Sequence, residues 1–279
     1  FYYFHYFCNF QIYCIMKLVT YSDQGKEKLA FLINNELYHT STANSELPAT
    51  LMEMLQDWEH FSAIARKTEE DIKTGKLSIE PSIPYQEENV LAPLPRPISC
   101  RDGYAFRQHV AAARRNRKVD MIPEFDQYPI FYFTNHLAIQ GPGAIHCMPD
   151  HFNKLDFELE VAIVTGKNGR NFTAAQADDY IAGFMIMNDM SARTLQMEEM
   201  LLNLGPAKGK DFSTVIGPIL VTPDELEAYK ISAKPNHTGN NYNLKMTCKV
   251  NGIQVSEGNV GDMDWTFAEI LERCAYGVD

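Results

Sequence analysis

No two of the six cysteines form a C-x-x-C pair and none joins a histidine at zinc-site spacing; they stand singly at positions 8, 14, 100, 147, 248 and 274. That excludes the common structural zinc frameworks and leads us to expect reduced thiols and a cytoplasmic location. Positive charge is scarce too, with 25 Lys and Arg against 36 Asp and Glu and a net charge of −11. A chain so acidic repels phosphate backbones and anionic lipid surfaces, so neither nucleic acid nor membrane is expected as a partner. The uncharged stretch 127–149 has the length of a membrane span, but Pro129, His136, Gly141, Pro142 and Gly143 mark it as loop and strand. What the chain has in quantity is apolar side chain, 45% of 279 residues, enough to bury a sizeable core.

Residues 1–15 lack any Asp, Glu, Lys or Arg yet carry eight of the 32 aromatic side chains. They have neither the basic start nor the small-residue cleavage site of a signal peptide, and we expect them to be a non-native extension ahead of an initiating Met16. Residues 16–80 read as a small N-terminal α+β domain. KLVTY, KLAFLI and ELYHT alternate as a β-meander with a turn at Asn34 and Asn35, and Leu51, Met54, Leu55, Trp58 and Phe61 recur at helical spacing. Five prolines between 81 and 97 mark a linker, and 98–279 is expected to hold the chemistry.

Four motifs carry that expectation. In CRDGYAFRQHVAAARRNR, Asp102 is a good N-cap and His109 lies two helical turns further on, where the two either address one cleft or merely cap and pack. In KLDFELEVAIV, alternation puts Glu158 and Glu160 on one strand face with Ala162 and Val164. Two carboxylates ~6 Å apart repel by roughly 3 kcal/mol at an effective dielectric near 20, which a solvated edge would relieve and a divalent cation would turn into attraction. In MNDMSARTLQ, Asp189 ends an apolar strand, with Arg193 and Gln196 following at helical spacing; Asp189 either caps and pairs with Arg193 or joins the other acids. GPAKGKDFSTVIGP carries Lys208 and Lys210 on a loop that lacks P-loop spacing, where a lysine is ordinarily solvated. Oxygen donors without a thiolate pair select a hard cation, Mg²⁺ or Ca²⁺, over zinc.

From Met16 onward these motifs, in this order, resemble the fumarylacetoacetate hydrolase family, in its bacterial-type fumarylacetoacetase branch. The resemblance implies an α+β, mostly β fold: a mixed β-sandwich roll with flanking helices and a small N-terminal domain, as a homodimer. It implies that Asp102, Glu158, Glu160 and Asp189 hold the metal, that His109 activates water, and that Lys210, with Arg193 and Gln196, stabilises developing charge. Tyr104, Arg107 and Tyr132 would contact the substrate. The implied reaction is metal-dependent cleavage of a carbon–carbon bond in a 1,3-diketo acid, foremost fumarylacetoacetate in tyrosine degradation. The alternatives within the family are an acylpyruvate hydrolase and a keto-acid decarboxylase or hydratase on the same metal site; outside it stands an inactive fragment. The family continues beyond the segment matched by WTFAEILERCAYGVD into a glycine-rich stretch and a glutamate that orients the histidine, so the catalytic domain is expected to be incomplete at its C-terminus.

Overall fold

The computed structural model describes residues 16–278; the extension expected at 1–15 lies outside the described residues. β1 (Lys17–Asp23), β2 (Lys26–Ile33) and β3 (Glu36–His39) form the antiparallel meander that their alternation predicts. Asn34 and Asn35 both adopt positive φ, the geometry that a tight hairpin turn demands and that asparagine tolerates. The helical spacing after residue 50 becomes a short capped turn at Leu51–Met54 and then α1 (Trp58–Lys73), with Leu51, Met54 and Trp58 buried.

The meander does not stand apart from the rest of the chain. β4 (Ile83–Pro84), which pairs with β3, is followed in the proline-rich stretch by residues fastened to the sheet edge: Thr20 donates to the Pro93 carbonyl and Leu91 N–H to the Thr20 carbonyl. Beyond it come β5 (Arg101–Asp102), α2 (Arg107–Asn116), β6 (Tyr132–Phe133), β7 (Ile139–Gln140) and β8 (Leu155–Asp156). β9 (Leu159–Thr165), β10 (Ile181–Asp189), β11 (Ser191–Ala192), α3 (Arg193–Met200), β12 (Thr214–Ile216) and β13 (Ile219–Val221) follow. The main sheet runs β4-β3-β2-β1-β13-β10-β12-β7, with β9 also on β10. The β1–β13 pairing makes the N-terminal strands continuous with those that carry the site. This mixed α/β architecture, a large sheet with flanking helices, agrees with the fold the resemblance implies.

β10 is buried along most of its length and feeds two cores, alternating from Gly183 onward, with a register shift between Ile181 and Gly183 that inverts the parity of its first two residues. Ala182, Met185 and Met187 join Leu18, Phe31, Met54 and Trp58, while Ile181, Phe184 and Ile186 join Tyr242, Met246 and Phe267. β9 divides in the same way: Ala162 and Val164 belong to the first core and Val161 and Ile163 to the second. Glu160 shares the parity of Ala162 and lies opposite Met187, which places it two residues from Asp189 on the paired strand and on the same face.

α1 also carries Glu69, 1% exposed, beside Lys73 at 3.0 Å. Burial pushes this carboxyl up from 4.5 to about 7, with Lys73 pulling the other way. A carboxyl whose pKa rises on folding contributes stability fully below its unfolded value and loses it as pH rises through the folded one. In urea unfolding, Glu69→Gln should gain on the wild type by about 2–3 kcal/mol between pH 5 and pH 8. Parallel stability–pH curves would exclude this assignment.

Candidate active site

The acidic residues reach one place from three separate segments. Asp189 is the last residue of β10, Glu160 the second of β9, and Asp102 lies on β5, which is held to β6 by the Asp102–Tyr132 pairing. One carboxylate oxygen from each of Asp102, Glu160 and Asp189 lies within 4.8 Å of the other two. Asp189 is 1% exposed, and its Oδ1 is buried without a hydrogen-bond partner.

Two of the sequence expectations change here. Asp102 caps no helix, because α2 begins only at Arg107 and its N-cap position is Phe106, which supplies no side-chain bond. The strand expected through KLDFELEVAIV is interrupted between β8 and β9, so Glu158 sits in the break rather than on a continuous face with Glu160. Its backbone is tied to β10, its N–H donating to Asn188 Oδ1 and its carbonyl accepting from Asp189 N–H.

The break separates the roles of the four acids. Lys210, expected as a solvated loop lysine or as a charge stabiliser, is 4% exposed and donates to Glu158 Oε2 at 2.7 Å and Asp189 Oδ2 at 2.6 Å. Arg193 does not pair with Asp189; it binds Asp156 and Glu158, both at 2.8 Å, and donates to Gln196 Oε1 at 3.0 Å. Burial alone would raise Glu158, but Lys210 and Arg193 outweigh it and hold the carboxyl down at about 2, with His109 adding to the pull. Burial and the neighbouring Asp189 push Asp102 up to about 7, and burial with Asp102 and Glu158 drives Glu160 well above the usual carboxylate range. Both cations are committed to Glu158 and Asp189, which leaves Asp102 and Glu160 dependent on a proton or a metal ion.

His109 is exposed on the first turn of α2. Tyr132 donates to Asp189 at 3.1 Å and to Asp102 at 3.4 Å, and burial among these acids pushes its hydroxyl pKa far up, so it remains a donor. Tyr104 is 42% exposed and stacks on Phe125. Arg107, expected to face substrate, is ion-paired with Asp126 and lies over the Phe125 ring. Sequence reasoning gave no part to Asp126 or to Glu199. Glu199 accepts the backbone N–H groups of Ala207 and Gly209 on Oε2, at 2.9 and 3.1 Å, and that of Lys208 on Oε1 at 2.6 Å.

Three buried or half-buried carboxylates converging on one point, with an unpaired oxygen on Asp189 and no sulfur among the donors, fit a hard divalent cation. Residues 99–279 match the fumarylacetoacetate (FAA) hydrolase C-terminal family and residues 16–96 the fumarylacetoacetase N-terminal domain 2. The chain therefore belongs to the fumarylacetoacetate hydrolase family, a superfamily of hydrolases and isomerases acting on keto acids.

Among curated relatives it is 31% identical to the mitochondrial oxaloacetate tautomerase Fahd2a of Rattus norvegicus, over 83% of this chain and 65% of that protein. It is 29% identical to the oxaloacetate tautomerase YisK of Bacillus subtilis, over 83% of this chain and 72% of that one. The chain thus spans somewhat less than two thirds of the length of the mitochondrial relative. The fold is shared with the maleylpyruvate hydrolase of Sphingobium sp. SYK-6, solved with manganese(II) and pyruvate, at a TM-score of 0.63 and 17% identity over 93% of this chain and 83% of that one. It is shared too with a fumarylacetoacetate hydrolase from Exiguobacterium antarcticum, at a TM-score of 0.60 and 20% identity over 94% and 82%. Among the described residues, no helix is long and apolar enough to cross a membrane.

Saturating Mg²⁺ or Mn²⁺ should raise the melting temperature. A hundredfold excess over Kd contributes about 2.7 kcal/mol, or roughly 5–10 °C for a chain of this size. Asp189→Asn and Glu160→Gln should each abolish the rise; an equal rise in either variant would place the cation elsewhere.

Proposed function

We propose that the chain is a divalent-metal-dependent enzyme that interconverts the keto and enol forms of a small keto acid such as oxaloacetate. The observation that carries this reading is the Asp102, Glu160 and Asp189 cluster with Lys210 and Tyr132 at its edge. The resemblance to two oxaloacetate tautomerases supports it, and it lies closer to the keto-acid alternatives of the sequence reading than to fumarylacetoacetate hydrolysis. The manganese and pyruvate held by the maleylpyruvate hydrolase support a keto acid beside a metal in this fold.

Asp102, Glu160 and Asp189 would hold the cation, Mg²⁺, Ca²⁺ or Mn²⁺, which when bound supplies Lewis-acid polarisation of the substrate oxygens. Tautomerisation breaks one C–H bond beside the carbonyl and forms one O–H bond. The chain contributes a charge environment for that transfer: the Lys210 ammonium donates toward the oxygen that gains negative charge, and the Tyr132 hydroxyl adds a neutral donor. The neighbouring carboxylates favour the charged form of Lys210 and outweigh its burial, so its pKa is raised and the ammonium persists. Arg193 and Gln196 keep the Glu158 side of the site rigid.

Hydrolysis of an acylpyruvate or of fumarylacetoacetate is the second reading. Its support is His109, close enough to Glu158 to help lower that carboxyl and exposed enough to accept a proton from water.

The two readings part at His109→Ala. Oxaloacetate tautomerisation should persist within about tenfold, while diketo-acid hydrolysis should fall by about 10²-fold or more. EDTA should abolish both, and activity indifferent to EDTA would end both readings.

A homodimer forms part of this proposal. Leu201, Leu202 and Leu204 after α3 are 79%, 82% and 95% exposed, beside Met197 and the exposed Met148 and Phe152, an apolar surface that a second copy would cover. Light scattering should give twice the chain mass for wild type and the single mass for Leu202→Glu with Leu204→Glu; a monomeric wild type would refute it.

A further inference from the structure

We infer that Glu199 is the positioning residue of the loop that presents Lys210, and that it sets the ammonium between Glu158 and Asp189. The inference rests on the role proposed above for Lys210.

The stretch of the loop between α3 and Lys210 buries little apolar surface. Leu201, Leu202 and Leu204 at its start are exposed, Ala207 and Lys208 are exposed, and of residues 201–210 only Gly209 and Lys210 are buried. A loop with so few buried apolar contacts is held by its hydrogen bonds. Glu199, on the last turn of α3, supplies three of them to consecutive amides immediately before Lys210. Charge-assisted bonds of this kind are about twice as strong as neutral ones, and three converging amides form a nest that orients the backbone. They also hold Glu199 below the usual carboxylate range, despite the opposing effect of burial.

Two further contacts lock the arrangement to the site. Gly209 accepts the Ala192 N–H at 2.8 Å, which ties the loop to β11, three residues past Asp189. A Cβ on Gly209 would stand 2.6 Å from the Gln196 backbone nitrogen, so the loop lies directly against α3 and only glycine fits there. Arg193, Gln196 and Glu199 thus place three consecutive contacts along one helix: with Glu158, with the Gly209 backbone, and with the amides before Lys210. Lys210 Nζ reaches two carboxylates at 2.7 and 2.6 Å, a two-way bridge whose geometry depends on where the loop presents the side chain.

The test is a double-mutant cycle on the full chain, with amide hydrogen exchange as the readout independent of activity. Glu199→Ala should speed exchange at residues 207–210 at least tenfold without changing β10. It should lower kcat for the metal-dependent keto-acid reaction by about 10- to 100-fold, with KM within about threefold. In a Lys210→Met background the same substitution should change kcat less than twofold, because the group it positions is gone. Glu199→Gln, which keeps an acceptor of the same reach, should recover part of the loss. Protection at 207–210 that survives Glu199→Ala would overturn the inference, as would an equal loss of kcat with and without Lys210. If Lys210→Met alone leaves turnover intact, the proposed role of Lys210 falls and the inference that Glu199 acts through it falls with it, while rapid exchange in Glu199→Ala still establishes the loop anchor.

Discussion

The structure of the site follows from one electrostatic problem: four carboxylates gathered at the end of a buried sheet, with two cations to satisfy them. Lys210 and Arg193 divide the problem unequally. Their combined attraction keeps Glu158 ionised and ties Asp189 to Lys210, while Asp102 and Glu160 receive mainly repulsion and desolvation. At ~4–5 Å such repulsion amounts to a few kcal/mol even at an effective dielectric near 20. A fold maintains that cost where something other than a protein cation completes the balance. The unpartnered oxygen on Asp189 marks where that completion falls, between the group that Lys210 holds and the two that it does not reach.

The sheet makes this concentration of charge possible. β10 runs buried through the middle, pairs with β9, β12 and β13, and sends alternate residues into two separate cores. Its end is therefore rigid, and Asp189 inherits that rigidity. Glu160 comes from the paired strand at a register fixed by the same alternation, since a slip of one residue would exchange the two cores' side chains on β9. Asp102 arrives independently, on the short β5–β6 pair, with Tyr132 bridging it back to Asp189. The N-terminal meander takes part through β1 and β13, so the apolar layer beneath β10 includes Leu18 and Phe31 from the far end of the chain.

Much of this was legible in the sequence, and the failures share a cause. The meander, its Asn-Asn turn, the apolar face of residues 51–61 and the parity of Glu160 with Ala162 and Val164 follow from local periodicity and turn chemistry, and each is present. Asp102 was misread as a helix cap because Asp is an excellent cap and alanines follow it; the intervening Gly103–Phe106 stretch, which delays the helix to Arg107, has no local signature strong enough to announce a strand. Glu158 was placed on a continuous strand because alternation carries straight through it, whereas the break is imposed by contacts with Asn188 and Asp189 some 30 residues away. The burial of Lys210 is likewise a tertiary fact: a loop lysine reads as solvent-facing until its partners are known.

The division of labour among the acids also bears on which reaction the site favours. Enolisation needs a polarised carbonyl oxygen, a donor beside it and a base for the proton that leaves carbon; the three carboxylates would hold the polarising cation, and Lys210 and Tyr132 are donors inside the buried cluster. Hydrolysis needs in addition a water held and deprotonated at a defined place, and among the described residues the one proposed for that step is His109, on the exposed turn of α2. Its helix is positioned from outside, by Asp264, whose carboxylate accepts the Arg107 N–H at 2.7 Å and pairs with Lys234 at 2.9 Å. That capping sets where the helix starts, and the imidazole on its first turn lies within the field of Glu158. The Lys210 ammonium, by contrast, is fixed by two carboxylates and by a loop bound through three amides. On the function proposed above, this arrangement favours chemistry at the substrate's oxygens over chemistry with water.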